Sequence, residues 1–556
     1  MACKSKMKTP VDGRPEEPAK RRKVGFTGVA ETVSCKANDC IKVMFVSSPD
    51  EMQETSDKEE IMCDVQFAER IFGEDGWIYG YHDLEIDLWL QSNTFHAYVD
   101  IRFSGKAASG KSPPTDIMSK LKETFGDGLT DDREAFAKSI SGNSLHFEKM
   151  ILEKSEAVST SWVVENDSHH LEDRVGGDES NIRLEQVLMK SGKIVRLELS
   201  DPDVRAWHAR LNPLSLFYIE GARPIVDNDP LWEVYLSLEI QDNRKKVTGF
   251  CNVYRFYHYP DSTRLRVSQI LVLPLYQGMG YGLHLLESVN ETAVARGCYD
   301  VTMEEPSINL QKMRDIMDVL RLLSVPTLSE QVKTSVNRSI ERLHSRKAFI
   351  SSGPEDHKIE MGSAGSSNGS RTEPSQYSWK EGNILCPPRY LRDEVRKTLK
   401  ISKKQFKRCW EQLLFLHLDP EDKELQEVFQ EGLVQRLNSE LFEKDKDMEK
   451  HANKQIFDME NEYNDSVTFI MLRVRCKAPG RSNGPSPMEI ETRSVQPPAE
   501  EKVKALQESL SEREEDLFGV ACGVARHCMR LGIPIPTIEY WLKREVDQAV
   551  DGTSSP

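Results

Sequence analysis

Apolar and polar residues alternate in "DLEIDLWL" (83–90) and "TFHAYVDIRF" (94–103), the period-two pattern of half-buried strands, and "CIKVMFV" (40–46) is a shorter apolar run of the same kind. Four further strand candidates lie close together: "KIVRLELS" (193–200), "LWEVYLSLEI" (231–240), "VTGFCNVYRFYHY" (247–259) and "RVSQILVL" (266–273). The last stops at Pro274, which cannot donate to a ladder. The period then changes. "GLHLLESVNETAVARG" (282–297) reads as an amphipathic helix, "YDVTME" (299–304) as one more strand, and "NLQKMRDIMDVLRLLS" (309–324) and "SKKQFKRCWEQLLFLHL" (402–418) as helices. Leu310, Met313, Met317, Leu320 and Leu323 share roughly one face of the former, a packing stripe. The stretch 104–160 carries mixed helix signals, and 502–550 is helical in pattern without a legible role.

These patterns divide the chain. Residues 1–36 are polar, with a basic cluster Lys20-Arg21-Arg22-Lys23 compatible with nuclear import and equally with a solvated charge run. An α+β domain spans 37–180, a second α/β unit 181–308, and a helical domain 309–476 broken by a Gly/Ser-rich linker at 350–385. Residues 477–556 form a further linker and extension. The 556-residue length is itself too great for one core.

Charge and cysteines narrow the chemistry. A net charge of −16 disfavours nucleic acid as a direct partner and favours a basic one. No run approaches the ~20 apolar residues of a membrane span. Eleven scattered cysteines without a Cys-x-x-Cys pair read as reduced thiols. Cys35 and Cys40 lack a second ligand pair at zinc spacing, and His169-His170 sits in a polar loop, so no metal is expected.

The least ordinary stretch is "LVLPLYQGMGYGLHLLESV" (271–289): strand, glycine-rich loop, helix. Such a helix start offers unpaired N–H groups to an anion, here those of Met279, Gly280, Tyr281 and Gly282. A Walker loop would end in Gly-Lys-Ser/Thr and does not fit Tyr281-Gly282-Leu283. A dinucleotide fold is the runner-up: Gly278, Gly280 and Gly282 give G-x-G-x-G, with Glu304 ending the next strand, but the third glycine comes one place early.

Gln277-x-x-Gly280-x-Gly282 resembles the coenzyme A loop of the GNAT acetyltransferase superfamily. "RVSQILVLPLYQGMGYGLHLLESV", with "EEPS" downstream and "WHARLNPLSLFYIEGA" upstream, is similar to the type B histone acetyltransferase family. That resemblance is near continuous over 190–325, looser over 38–160, and resumes at "LRDEVRKTLKISKKQFKRCWEQLLFLHL". It implies an α/β fold with a mixed, largely antiparallel GNAT-type sheet and flanking helices, an N-terminal α+β domain and a C-terminal helical domain. It implies acetyl-CoA as co-substrate, held by Ile270, Leu271, Val272, Gln277, Gly278, Met279, Gly280, Tyr281, Gly282, Leu283 and Ser307. The implied substrate is the N-terminal tail of free histone H4, and the implied partner a WD-repeat histone-binding chaperone, in nucleus and cytoplasm.

Lysine acetylation needs a neutral amine, and a free lysine with pKa about 10.4 is almost wholly protonated at pH 7. A carboxylate within reach can take the proton. The candidates are Glu304, Glu305 and Glu220; the resemblance puts the base at Glu304, and Glu305 stands where the family usually has aspartate. From the residues alone, Glu305 reads as an acid in the first turn of a helix and Ser307 as its cap. Cys251 and Cys298 have no histidine beside them, which favours direct attack in a ternary complex over an acyl-enzyme. For the histone tail the resemblance implies contacts at Glu74, Asp75, Trp232, Tyr254, Arg255 and Phe256, although Gly76 stands where the family often has another acid. Without it, Glu74-Asp75-Gly76 is a surface turn and Trp232 and Tyr254 are sheet packing. A GNAT enzyme for another amine and a histone-binding module without catalysis are the alternatives.

Overall fold

The computed structural model describes residues 33–53, 61–73, 75–106, 113–158, 162–163, 191–225, 229–241, 244–351, 385–442 and 499–544. The basic cluster at 20–23, His169-His170, Glu74 and most of both linkers lie outside them.

The N-terminal domain is built on a five-stranded mixed sheet. Its strands are β1 (Ile41–Val46), β2 (Met62–Asp64), β3 (Glu85–Gln91), β4 (Ala97–Arg102) and β5 (Leu129–Thr130), in the order β2-β1-β3-β4-β5. Two helices accompany it, α1 (Ile117–Phe125) and α2 (Arg133–Lys154). Each starts on an aspartate, Asp116 and Asp132, whose carboxylate accepts amides of the first turn.

The second sheet carries the site. β6 (Glu156–Ala157) and β7 (Trp162–Val163) both pair with β8 (Ser191–Glu198). Helices α3 (Pro202–His208) and α4 (Asn212–Tyr218) come next. The sheet then runs antiparallel through β9 (Trp232–Gln241), β10 (Arg244–His258) and β11 (Ser262–Val272). Helix α5 (Tyr281–Ala295) returns the chain to β12 (Val301–Met303), which lies parallel to β11. This is the mixed, largely antiparallel sheet that the family resemblance implies, built from the strands that the alternation predicts.

Strand alternation sorts the two faces. Val234, Leu236, Phe250 and Leu271 look toward α3, α4 and the N-terminal sheet, and join Val43, Leu88, Val99, Leu121, Trp207 and Phe217 in one apolar cluster. The first two domains therefore share a core. The opposite face buries Tyr235, Cys251, Val253, Val267 and Met303 under Leu285, Leu286 and Val289 of α5.

Helices α6 (Ile308–Ser324), α7 (Pro326–Ser351), α8 (Arg389–Leu399), α9 (Lys403–His417), α10 (Lys423–Phe442) and α11 (Ala499–Leu531) make the C-terminal layer. It hooks onto the sheet edge where the Val301 amide donates to the Lys400 carbonyl. The stripe on α6 is split: Leu310, Met313 and Met317 join the sheet cluster, Leu320 and Leu323 the helical one. The last block is part of this layer, with Leu517, Val520, Val524 and Cys528 buried in the helical core. Gly519 and Gly523 let α11 lie close on α6, against Lys312 and Ile316. A buried charge network pins the seam. Asp315 accepts from Gln311, Gln405 and Arg408; Arg408 also reaches Asp516, and Arg513 pairs with Glu411.

One glycine fixes the end of β11. A Cβ on Gly249 would stand 2.7 Å from the Leu271 carbonyl oxygen and 3.1 Å from the Val272 Cα. Backbone cannot yield there as a side-chain tip could. Gly249→Ala is expected to destabilise the protein by about 1–3 kcal/mol, the cost of overpacking. Thermal unfolding of the two proteins side by side checks this; an unchanged midpoint would mean that the strand end is looser than this contact implies.

Candidate active site

The two parallel strands part company. β12 pairs with β11 only from Leu265 to Val267, and the ladder ends where the Glu304 amide donates to the Val267 carbonyl at 2.9 Å. β11 continues to Val272 alongside β10. Ser268 to Val272 thus have a strand on one side and, among the described residues, none on the other. The opening starts at a bulge. Asn252 pairs with Gln269 and Val253 with Val267, so Ser268 is the extra residue. Its hydroxyl donates to Glu304 Oε2 at 2.8 Å, which sets the carboxylate at the mouth of the gap.

At the other end of the opening the chain turns through Pro274–Tyr276 into the glycine loop. Gln277 Nε2 donates back to the Val272 carbonyl at 3.0 Å, folding the loop over the strand end. Gly278 and Gly280 have φ of +81° and +83°, which L side chains adopt only with strain, and nothing stands within 4 Å of a Cβ built on either. Gln277 to Gly280 are exposed, whereas the Tyr281 side chain is buried and its hydroxyl meets Glu239 Oε2 at 3.1 Å. Burial, then Glu239, pushes that phenol up. Tyr281 is thus an anchor by side chain and a loop residue by backbone. Val272 and Met313 come within 3.5 Å of a Cβ on Gly282. The helix beyond presents the orphan amides of its first turn. A glycine cradle at a helix start, beside a strand edge free to pair, fits a diphosphate joined to an amide-bearing arm.

Glu305 departs from the reading as a first-turn acid. Strand β12 ends at Met303 and α6 starts at Ile308, so Glu305 precedes the helix, with a left-handed φ of +37°. A non-glycine residue there is strained, and the left-handed backbone takes Glu305 out of the strand geometry that ends at Met303. Ser307 is the cap, its hydroxyl accepting from the Leu310 amide. Glu220 is exposed on the turn after α4. That turn is tied to the central strand by Gln269, whose Nε2 donates to the Arg223 carbonyl at 2.7 Å while its Oε1 accepts from Asn252 and Ser215. Cys251 and Cys298 are buried in the core, and burial pushes the Cys251 thiol up.

The aromatic residues divide by face. Trp232 pairs across the sheet with Tyr254, ring centroids 4.9 Å apart, and Phe256 follows at 4.5 Å from Tyr254, with the Arg266 guanidinium over it. The Tyr254 hydroxyl donates to Asp229 at 2.6 Å, and that carboxylate, with burial, pushes the phenol up to about 12. Arg255 points the other way, into an ion pair with the fully buried Glu233. The structure therefore joins Trp232, Tyr254 and Phe256 and separates Arg255 from them. Asp75 is exposed on a turn of its own between Gly73 and Gly76.

Sequence reasoning missed Ser268, Gln269, Asn252 and Asp229. The signal for the first two was there: two polar residues inside "RVSQILVL" interrupt an apolar strand where a bulge re-aims it. Among the described residues no group of three or more His, Cys, Asp or Glu could hold a metal, and no helix is long and apolar enough to cross a membrane.

Comparison with known proteins points one way. Residues 33–220 match the family described as "Histone acetyl transferase HAT1 N-terminus", and residues 200–313 the "Acetyltransferase (GNAT) family". The histone acetyltransferase type B catalytic subunit of Arabidopsis thaliana is 30% identical over 461 residues, 82% of this chain and 86% of that protein. Its namesake in Zea mays is 33% identical over 426 residues, 76% of this chain and 78% of that protein. One from Cryptococcus neoformans is 27% identical over 301 residues, 51% and 70%. With a GNAT sheet, a parted β11/β12 pair and relatives matched along most of their length, this chain belongs to the type B histone acetyltransferase catalytic subunits and is an acetyltransferase of the GNAT superfamily.

Proposed function

We propose that this enzyme uses acetyl-CoA to acetylate lysines in the N-terminal tail of free histone H4, by direct attack in a ternary complex. The observation that carries the reading is the strand gap, with the glycine loop at one end and Glu304, held by Ser268, at the other. Acetyl-CoA supplies an activated acetyl group as a thioester. The amides from Met279 to Leu283 hold its diphosphate, and the free edge of Ile270, Leu271 and Val272 pairs with its arm. Ser307 flanks that site from the start of α6.

Glu304 takes the proton from the lysine ammonium, directly or through water, as nitrogen attacks. Backbone N–H groups at the β11 bulge polarise the carbonyl as negative charge develops on its oxygen. Glu305 and Glu220 add negative charge near the entering ammonium. No thiol intervenes, since Cys251 is closed off within the sheet core. The tail lies on Trp232, Tyr254 and Phe256, with Glu74 and Asp75 meeting its basic side chains. A WD-repeat histone chaperone presents the substrate, and the enzyme works in nucleus and cytoplasm on histones not yet in chromatin.

Acetylation of free histones and of nucleosomes, each with radiolabelled acetyl-CoA, tests the reading. Label on histone H4 of the free pool, well above that on nucleosomes, is the expected result. Equal labelling of both, or label confined to a different amine on a peptide array, would overturn the substrate assignment.

A further inference from the structure

Two thiols that the acetyl transfer does not use sit face to face. Cys35 lies in the short strand Ser34–Lys36 and Cys40 ends the single helical turn Ala37–Cys40, and their sulfurs are 3.7 Å apart. That is van der Waals contact, and a disulfide at ~2.05 Å needs a further approach of roughly 1.6 Å. Cys40 is buried and Cys35 half-buried, so a small oxidant reaches Cys35 first.

The same short segment supports the acidic turn. The Ala37 amide donates to the Gly76 carbonyl at 2.8 Å, and Cys35 and Lys36 pair with Ile78 and Trp77, just past that turn. The turn itself closes by Gly76 N–H to the Gly73 carbonyl, with both glycines at positive φ. Asn38 fixes the other side by donating to the Gln66 carbonyl. Movement of the Ala37–Cys40 turn therefore reaches Asp75 through one hydrogen bond.

We propose that Cys35 and Cys40 form a reversible disulfide under oxidation, and that its closure draws the Ala37–Cys40 turn off Gly76 and weakens histone-tail binding. The second half rests on the reading of Asp75 as a tail contact. With hydrogen peroxide as oxidant, the Cys35 sulfur attacks oxygen; an S–O bond forms, the O–O bond breaks and one water leaves. The Cys40 sulfur then attacks the sulfenic sulfur of Cys35; an S–S bond forms, the S–O bond breaks, and the leaving hydroxide takes the Cys40 thiol proton and departs as a second water. The peroxide takes two electrons and the sulfurs lose two. Burial raises both thiols, Cys40 to about 12, so closure is slow at neutral pH and quickens as pH rises.

Trypsin reads the bond directly. Cleavage after Lys23, Lys36 and Lys42 puts Cys35 in peptide Val24–Lys36 and Cys40 in peptide Ala37–Lys42. Full-length enzyme treated with peroxide, alkylated and digested is expected to yield these two peptides linked, and separate again after dithiothreitol. The KM for an H4-tail peptide is expected to rise at least about threefold, a small effect for an ångström-scale misplacement, with the KM for acetyl-CoA unchanged. Cys35→Ser should abolish both the link and the KM change. Sulfinic acid on Cys35 with Cys40 still free would overturn the disulfide. A linked pair with an unmoved tail KM would overturn its connection to the turn. A reduced enzyme that fails on histone H4 would count against the substrate reading alone, because the linked peptides are read without activity.

Discussion

Glu304→Gln is expected to cut turnover on an H4-tail peptide at least about tenfold, the lower part of what loss of a general base costs, while acetyl-CoA affinity stays unchanged. The substitution keeps shape and keeps an oxygen to accept from Ser268, whose hydroxyl now meets Oε2 at 2.8 Å. It removes the capacity to take a proton, and with it the negative charge of the carboxylate. The pH profile separates this from a packing defect. A lysine near pKa 10.4 gains neutral amine about tenfold per pH unit below that value. With no base in the protein, the rate of the variant should climb with pH toward that limit, and the deficit against the parent should shrink at alkaline pH. A structural defect would leave the ratio flat. Steady-state kinetics from pH 6 to 9, with calorimetry for the coenzyme, provide both readouts; an unchanged rate at pH 7 would remove Glu304 from the role of base.

The sheet was legible because its faces differ. "LWEVYLSLEI" and "VTGFCNVYRFYHY" alternate residues bound for two different cores, and the alternation survives into β9 and β10. The glycine loop was legible because positive φ at Gly278 and Gly280 permits little else. Neither signal reveals which residues meet across the fold. Ser268 reaches Glu304 from 36 positions away, and Gln269 holds the Glu220 turn through Arg223, 46 positions earlier in the chain. Arg255 stands between Tyr254 and Phe256 in sequence yet on the far face of the sheet, a consequence of alternation that grouping by adjacency overlooks. Glu305 misleads for another reason: a helix-start reading is right for Ser307, but the left-handed backbone two residues earlier leaves no mark in composition. The final helix was obscured because its apolar stripe, Leu517, Val520, Val524 and Cys528, is bordered by charge and follows a linker, and its partner face on α6 includes the buried Asp315.

Gly280→Glu is expected to weaken acetyl-CoA binding by about a hundredfold or more, equivalent to roughly 2.8 kcal/mol or above. Two effects act in one direction. The residue has φ +83°, and an L side chain there costs about 1–2 kcal/mol of backbone strain, which the loop relieves by changing shape. The Cβ also points into open space, where nothing of the protein lies within 4 Å, and a carboxylate placed there meets the diphosphate that the loop is proposed to hold. Gly280→Ala carries the strain without the charge and should cost less. The charge part is screened by salt, with a Debye length falling from about 10 Å at 0.1 M to 3 Å at 1 M, so the gap between the two variants should narrow as ionic strength rises. Calorimetric titration of coenzyme A into each variant at low and high salt measures this. The thermal midpoint should fall by no more than that backbone strain accounts for, since Gly280 is exposed and its replacement disturbs no core packing. A glutamate variant that binds as tightly as the parent would place the diphosphate elsewhere, and with it the thioester that Glu304 is proposed to serve.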